Sequence, residues 1–538
     1  YAYPLSTLEP IADELQVVIT EFEALDLAHR LKERDFTLWS EDPTELADRL
    51  DWLDCPSSMQ KHLHRLANFR ADLLAEEYDH VVVLGMGGSS LFPEVLASSG
   101  ATSPVGPTLS VLDSTHPAAV QRCIDLARKY KVLFVAASKS GGTIETRSQL
   151  DTMWDALGGE RDFVSITDPG TDLARLAHDR NFRVCFENPS DVGGRFSALS
   201  LFGLVPGAAC GVDVSVLLSS GERALVEDGF GSSQVPLAEC PGIFLGAVLA
   251  AAERCGRNKL TLLFHGEGAA LNVWVDQLIA ESTGKQGRGL IPVLDEVVVG
   301  DTARDPRQLD VHDFSNDRIF VAWGLEDEDF LDRLVAAGHP VVSLGSEATH
   351  GHLGHEVVRW EIAAATIGVG LGINPFDQPD VGAAKSATAE VLQFGAGELQ
   401  TVALHELFSG ICDGDYVALL SYVDAGQSDV MDALREIRYK ISERYGLAST
   451  LGVGPRYLHS TGQFHKGGTP QGRFIQVIEP SAFDVRVPGT RMHFGQLMQA
   501  QADGDCQALL DTLRPVARVD IQDLQEFLDL AIRSDVSS

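Results

Sequence analysis

Three stretches of the 538-residue chain collect side chains suited to an anionic substrate. The run VLFVAAS (132–138) leads into ASKSGGTIET, which sets Ser138, Lys139, Ser140 and Thr143 between an apolar segment and a helical pattern. Hydroxyls beside the free amides of a helix N-terminus make a cradle for a phosphate monoester, and such a cradle needs no metal. The run VVVLGMGGSS (81–90) ends in Gly87, Gly88 and Ser89, where missing side chains let backbone N–H groups approach an anion. It fails as a dinucleotide fingerprint: Gly85 and Gly87 fit G-x-G-x-x-G, but position 90 is Ser. The third stretch, QLIAESTGKQGRG (277–289), carries a lone carboxylate, Glu281, to the end of an apolar helical segment. A fourth cluster, THGHLGHE (349–356), brings His350, His352, His355 and Glu356 together as a zinc-ligand candidate, but the spacing does not put all three imidazoles on one helical face.

Such loops act where strands end, so the elements come next. Residues 11–75 read as amphipathic helices with Trp39 and Trp52 as core anchors. From residue 81 short apolar runs alternate with helical segments: TLSVLDS (108–114), VLFVAAS and DFVSIT (162–167). A second alternation starts near 260 with LTLLFHG, DRIFVAWG (317–324) and HPVVSLG (339–345), and a third set is VALLSYVD (417–424) and RFIQVIE (473–479). Strands alternating with helices predict an α/β fold with parallel sheets covered on both faces.

Composition narrows the function classes. A net charge of −35 disfavours nucleic acid, which takes clustered Lys and Arg to neutralise its phosphates. The chain has only ten lysines, and an acidic, lysine-poor surface suits solubility at high salt. The eight scattered cysteines form no C-x-x-C pair and read as reduced thiols. Apolar stretches around 196–212 and 362–376 are short and broken by Pro206 or Pro375, so no membrane span is expected, and the reduced thiols suggest a cytoplasmic protein. The opening YAYPLSTLEP lacks Met, which would suit a processed chain or part of a longer polypeptide.

GMGGSS (85–90), SKSGGTIE (138–145), GGRFSALSLFGL (193–204), QLIAESTGK (277–285) and FDQPDVGAAK (376–385) stand in the order of the corresponding motifs of phosphoglucose isomerases, and the chain resembles that family of sugar isomerase (SIS) proteins. STGQFHKGG (460–468) resembles, in particular, the isomerase half of transaldolase–phosphoglucose isomerase fusions, which raises a fused or separated transaldolase half as a partner.

The resemblance implies two SIS-type parallel-sheet sandwich domains with helices on both faces. The expected divisions are a helical segment at 1–75, a first SIS domain at 76–225, a second at 226–425, and a C-terminal region at 426–538 that completes the second and supplies a histidine loop. It implies a cofactor-free, metal-free aldose–ketose isomerase interconverting glucose 6-phosphate and fructose 6-phosphate, commonly a homodimer with both subunits at each site. Glu281 would be the base that shuttles a proton between C1 and C2, and Gln277 and Gln378 would bind sugar hydroxyls. Arg195 would stabilise the enediolate, Lys385 would assist ring opening, and Ser138, Ser140 and Thr143 would grip the phosphate with Lys139, Gly88 and Ser89 nearby. The family's ring-opening histidine segment, G-T-x-x-Q-H, is missing from 293–318, where only His312 offers a substitute; His465 is the expected replacement. Two alternatives stay open: a non-catalytic SIS sensor, and a phosphoglucose/phosphomannose isomerase suggested by Thr283 close to the base.

Overall fold

The computed structural model describes residues 2–158, 162–231, 235–295, 310–325 and 327–523. Among these described residues, thirteen strands build three wholly parallel sheets. The first holds β1 (His80–Leu84), β2 (Thr108–Leu112), β3 (Val132–Ala137), β4 (Phe163–Thr167) and β5 (Val184–Glu187) in the order β2-β1-β3-β4-β5. The second holds β6 (Lys259–Phe264), β7 (Ile291–Val293), β8 (Arg318–Trp323) and β9 (Val341–Ser343) in the order β7-β6-β8-β9. The third holds β10 (Tyr416–Tyr422), β11 (Ala448–Val453), β12 (Gly472–Ile478) and β13 (Val516–Asp520) in the order β11-β10-β12-β13. Each sheet begins with the same winding, in which the first strand lies between the second and third. The connection therefore reverses between the first and third strands, and loops after those two strands flank one crevice.

The α/β class and the parallel sheets agree with the sequence reading, but their number does not. The C-terminal residues do not complete the second sheet: β10 starts at Tyr416, ahead of the expected division at 426, and its described partners are β11 and β12. The physical reason is burial. Every residue of β10 is buried, so the strand needs cover on both faces. The helices Ser428–Tyr445 and Phe494–Asp511, which follow it in the chain, pack into the apolar clusters on the third sheet's two faces, one of which also takes in Ile291 and Val293 of β7.

The first two sheets share one core with the helices Pro241–Arg254 and Leu353–Leu371, which are buried along nearly their whole length. The apolar stretch beginning at 362 is therefore core rather than membrane span, and among the described residues no helix is long and apolar enough to cross a membrane. Trp52 is fully buried against Phe196, whereas Trp39 is half-buried and donates from Nε1 to the Ala365 carbonyl at 2.9 Å. All eight cysteines are free thiols. The third sheet docks on the first through Arg122, which grips Asp424 with two bonds of 2.7 and 2.6 Å.

Candidate active site

Strands β1 and β3 are neighbours, so GMGGSS (85–90) and SKSGGT (138–143), far apart in sequence, flank the switch point of the first sheet. After β3, Ser138 and Thr143 share a hydrogen bond of 2.9 Å between their hydroxyls, and the helix Ile144–Leu157 begins at once. Ser140 is exposed at the loop tip. Lys139 points elsewhere: its Nζ lies 2.5 Å from Asp168 Oδ2 and from the Ser190 carbonyl, so this lysine ties the loop to its neighbours. After β1, Gly88 meets the GGRFS turn so closely that a Cβ would stand 2.0 Å from the Gly194 carbonyl oxygen. Only a glycine permits that approach, and Ser89 lies half-buried beside it.

That contact positions Arg195. Phe196 packs on Trp52 and Phe376, and Arg195 extends into the interior, 4 % exposed. Its Nε donates to Ser282 Oγ at 2.8 Å, Nη1 to Gln378 Oε1 at 2.8 Å, and Nη2 to the carbonyls of Pro375 and Asp377. Nη1 also lies 3.5 Å from Glu281 Oε1. Burial pulls the guanidinium below its ordinary pKa, while Glu281 and Asp377 act to hold it up.

Glu281 and Gln277 project from one face of the helix Asn272–Thr283, and Gln277 Nε2 donates to Glu281 Oε2 at 3.0 Å and to the His459 carbonyl at 2.8 Å. Lys285, just beyond, pairs with Asp377 at 2.7 Å; burial, with the Arg195 charge beside it, brings its amine down to about 7. Thr283 is turned away, its hydroxyl donating to the Ile279 carbonyl and accepting from the Leu290 N–H.

A cavity of about 350 Å³ opens between the phosphate-loop candidate and the helix Pro379–Phe394, lined among others by Ser140, Thr143, Glu145, Lys385, His459 and Gln501. Lys385 is exposed on that wall. Glu281 is not itself in the lining; it connects to it through Gln277 and His459.

The expected histidine is corrected here. His465 is 1 % exposed, its Nδ1 3.0 Å from the Tyr416 hydroxyl and its ring against Tyr416 and Phe474, and burial holds its pKa well below the ordinary value. Such an imidazole is a core residue. His312 is exposed in a short turn, and residues 296–309 of the searched stretch lie outside the described residues. His459, six positions before His465, does face the cavity, with Nε2 3.0 Å from Glu145 Oε1. A carboxylate only accepts, so Nε2 carries a proton in this contact and Nδ1 is the ring's other nitrogen. Sequence reasoning passed over His459 because its partner lies 314 positions away. The available signal was its place in the turn that follows a strand, β11.

Burial would raise the Glu145 carboxyl, but the His459 charge and hydrogen bond, with Lys385 beyond, bring it below its ordinary 4.5. A depressed carboxylate stabilises the fold fully above the unfolded value, and that contribution is lost as pH falls through the folded one. Glu145→Gln is therefore expected to melt below wild type at neutral pH, with the gap closing below about pH 4.5. Thermal melts of both proteins from pH 7 to 3.5 check this, and a gap that stays constant rejects it.

The histidine-rich stretch does not converge. His350 meets Glu267 at 2.8 Å, His352 meets Thr349 at 3.0 Å and His355 meets Glu227 at 2.9 Å, and among the described residues no three such side chains are placed to hold a metal ion.

A family model described as phosphoglucose isomerase matches residues 67–288, the span holding Gly88, Ser138, Thr143, Arg195, Gln277 and Glu281. A glucose-6-phosphate isomerase of Rubrobacter xylanophilus is 29% identical over 364 residues, covering 58% of this chain and 82% of that protein. Over these spans the chain is similar to phosphoglucose isomerases. A probable glucose-6-phosphate isomerase of Natronomonas pharaonis is likewise 29% identical, over 60% of this chain and 80% of that protein. Among solved structures, a glucose-6-phosphate isomerase from Chlamydia trachomatis aligns with a TM-score of 0.55 at 17% identity, over 70% of this chain and 85% of that one. A hypothetical protein from Thermus thermophilus aligns at 0.59 and 23% identity, over 71% of this chain and 98% of that one. These structural likenesses speak to the fold. The isomerase family model stops at 288, short of Lys385 and of the whole third sheet.

Proposed function

We propose that the chain interconverts glucose 6-phosphate and fructose 6-phosphate, as the names of its relatives suggest. One observation carries the reading: the carboxylate of Glu281, on a buried helix end, lies 3.0 Å from the Gln277 amide and 3.5 Å from the Arg195 guanidinium. Isomerisation needs a base that takes a proton from one carbon and returns it to the next, with a fixed cation beside the enediolate oxygen. Glu281 and Arg195 take these roles, and Gln277 and Gln378 meet sugar hydroxyls. Ser138, Ser140 and Thr143 take the phosphate at the start of the 144–157 helix. Lys139 acts at one remove, by fixing the loop. His459, through Nδ1, and Lys385 on the facing wall exchange protons with the ring oxygen and O1 to open the sugar.

Because Thr283 bonds backbone on both sides, no observation favours mannose 6-phosphate as a second substrate. A homodimer and a cytoplasmic location rest on the family resemblance. The test is direct: wild-type protein with fructose 6-phosphate, with and without EDTA, following glucose 6-phosphate. Turnover insensitive to EDTA supports the metal-free route. Binding without turnover supports a sugar-phosphate sensor instead.

A further inference from the structure

STGQFHKGG sends no side chain into the cavity, yet one of its residues touches both helices that carry the chemistry. Gln463 is 0 % exposed. Its Oε1 accepts from the backbone N–H of Asp380 at 3.0 Å and of Val381 at 3.3 Å, in the first turn of the helix bearing Lys385. Its Nε2 donates at 3.0 Å to the carbonyl of Gly284, the residue that ends the helix bearing Glu281, and at 2.6 Å to Asp380 Oδ2. Two backbone donors fix which end is oxygen, and the Gly284 carbonyl fixes which is nitrogen, so the amide has one orientation. Helix ends leave carbonyls and N–H groups without partners, and here one side chain satisfies both kinds at once.

The neighbouring backbones leave no slack. A Cβ on Gly467 would stand 2.3 Å from Asp380 Oδ2 and 2.7 Å from the Gly284 carbonyl oxygen, and one on Gly284 would stand 2.4 Å from Phe464 Cα. The third sheet holds the segment from behind: Lys466 pairs with the buried Asp505 at 2.5 Å, and Arg514 donates to the carbonyls of Lys466 and Gly468. Glu281 lies three residues before one anchor and Lys385 four residues after the other, about one helical turn each way.

We propose that Gln463 is a positioning residue that sets the separation of the proton-transfer base and the ring-opening lysine, an inference resting on the roles given above to Glu281 and Lys385. A small displacement of either helix end misaligns groups that must act on one substrate, and misplacement by about 1 Å can cost on the order of a hundredfold in rate.

The test uses the full chain carrying Gln463→Glu, and then Gln463→Glu with Asp380→Asn. The single variant keeps both backbone contacts but sets a carboxylate against Asp380 and the Gly284 carbonyl. The pair restores an amide–carboxylate contact with its polarity reversed. The single variant is expected to lose roughly ten- to hundredfold in kcat per folded molecule. Competitive inhibition by inorganic phosphate, which reports the 138–143 loop, should be unchanged, and the pair should recover most of the rate. Unchanged kcat, phosphate inhibition weakening in step with kcat, or no recovery in the pair would each overturn the proposal. Should the single variant not fold, Gln463→Met, which removes the amide at similar volume, takes its place, and unchanged kcat per folded molecule then overturns the proposal. Wild-type turnover and its loss in Glu281→Gln are measured separately, so failure of the isomerase reading is distinct from failure of this one.

Discussion

Glu281→Gln is expected to lower isomerase turnover by roughly 10²–10⁴-fold while sugar-phosphate binding survives. The substitution preserves shape. An amide at 281 can still accept from Gln277 Nε2, which now donates to Glu281 Oε2 at 3.0 Å, but it cannot take a carbon-bound proton. Binding should persist because the proposed phosphate contacts, Ser138, Ser140 and Thr143, stand on the loop after β3 and not on this helix. Some stability should be lost as well, since Glu281 is the carboxylate paired with Arg195, whose other acceptors are a hydroxyl, an amide and two backbone carbonyls. Initial rates in both directions, with calorimetric titration by glucose 6-phosphate, make the check. Turnover within about tenfold of wild type would remove Glu281 from the mechanism.

Arg195→Lys keeps the charge and should still be severe. Arg195 makes bonds from three nitrogens, to Ser282, Gln378 and two carbonyls, and a lysine ammonium cannot reach that spread of acceptors. Carbonyls buried without a partner cost about 1–3 kcal/mol each, so a loss of roughly 2–5 kcal/mol in unfolding free energy is expected. The rate should fall by about 10²–10³, the scale seen when one preorganised donor to a developing oxyanion is removed. Denaturant unfolding measures the first, and kcat on material verified as folded measures the second. The two readouts separate the roles. A large stability loss with an unchanged rate would leave Arg195 as scaffold only, and the enediolate would need another cation.

Much of the phosphate-binding candidate was legible because it is local. Hydroxyls, glycines and a helix start fall within a single short loop, and the strand-then-helix pattern puts them at a sheet's C-terminal edge. Arg195 and Lys385 were legible only through the family's motif order, since neither residue has a local pattern of its own. Lys139 shows a limit of that reading: sequence places the residue in the loop, but Asp168 and Ser190 decide where its side chain goes. The third sheet was hidden for a different reason. Apolar runs show that strands exist, whereas which sheet each joins depends on helices packed against both faces. The choice between His459 and His465 was likewise nonlocal. Both lie in one polar, glycine-rich segment, and only the approach of Glu145 to one and of Tyr416 to the other tells them apart.

Gln501 donates to Glu145 Oε1 at 2.7 Å and accepts from Thr115 at 2.8 Å, so the third sheet's last long helix, like its His459 turn, reaches into the first sheet's crevice. The family resemblance implies sites that draw on two subunits, and within one chain Gln277 already links Glu281 to the His459 turn. A shared site lets two damaged copies repair one another, because each can lend what the other lacks. Refolding a Glu281 variant together with a His459 variant tests the point: activity regained in the mixture would mean that copies share sites, and none would mean that each chain serves its own.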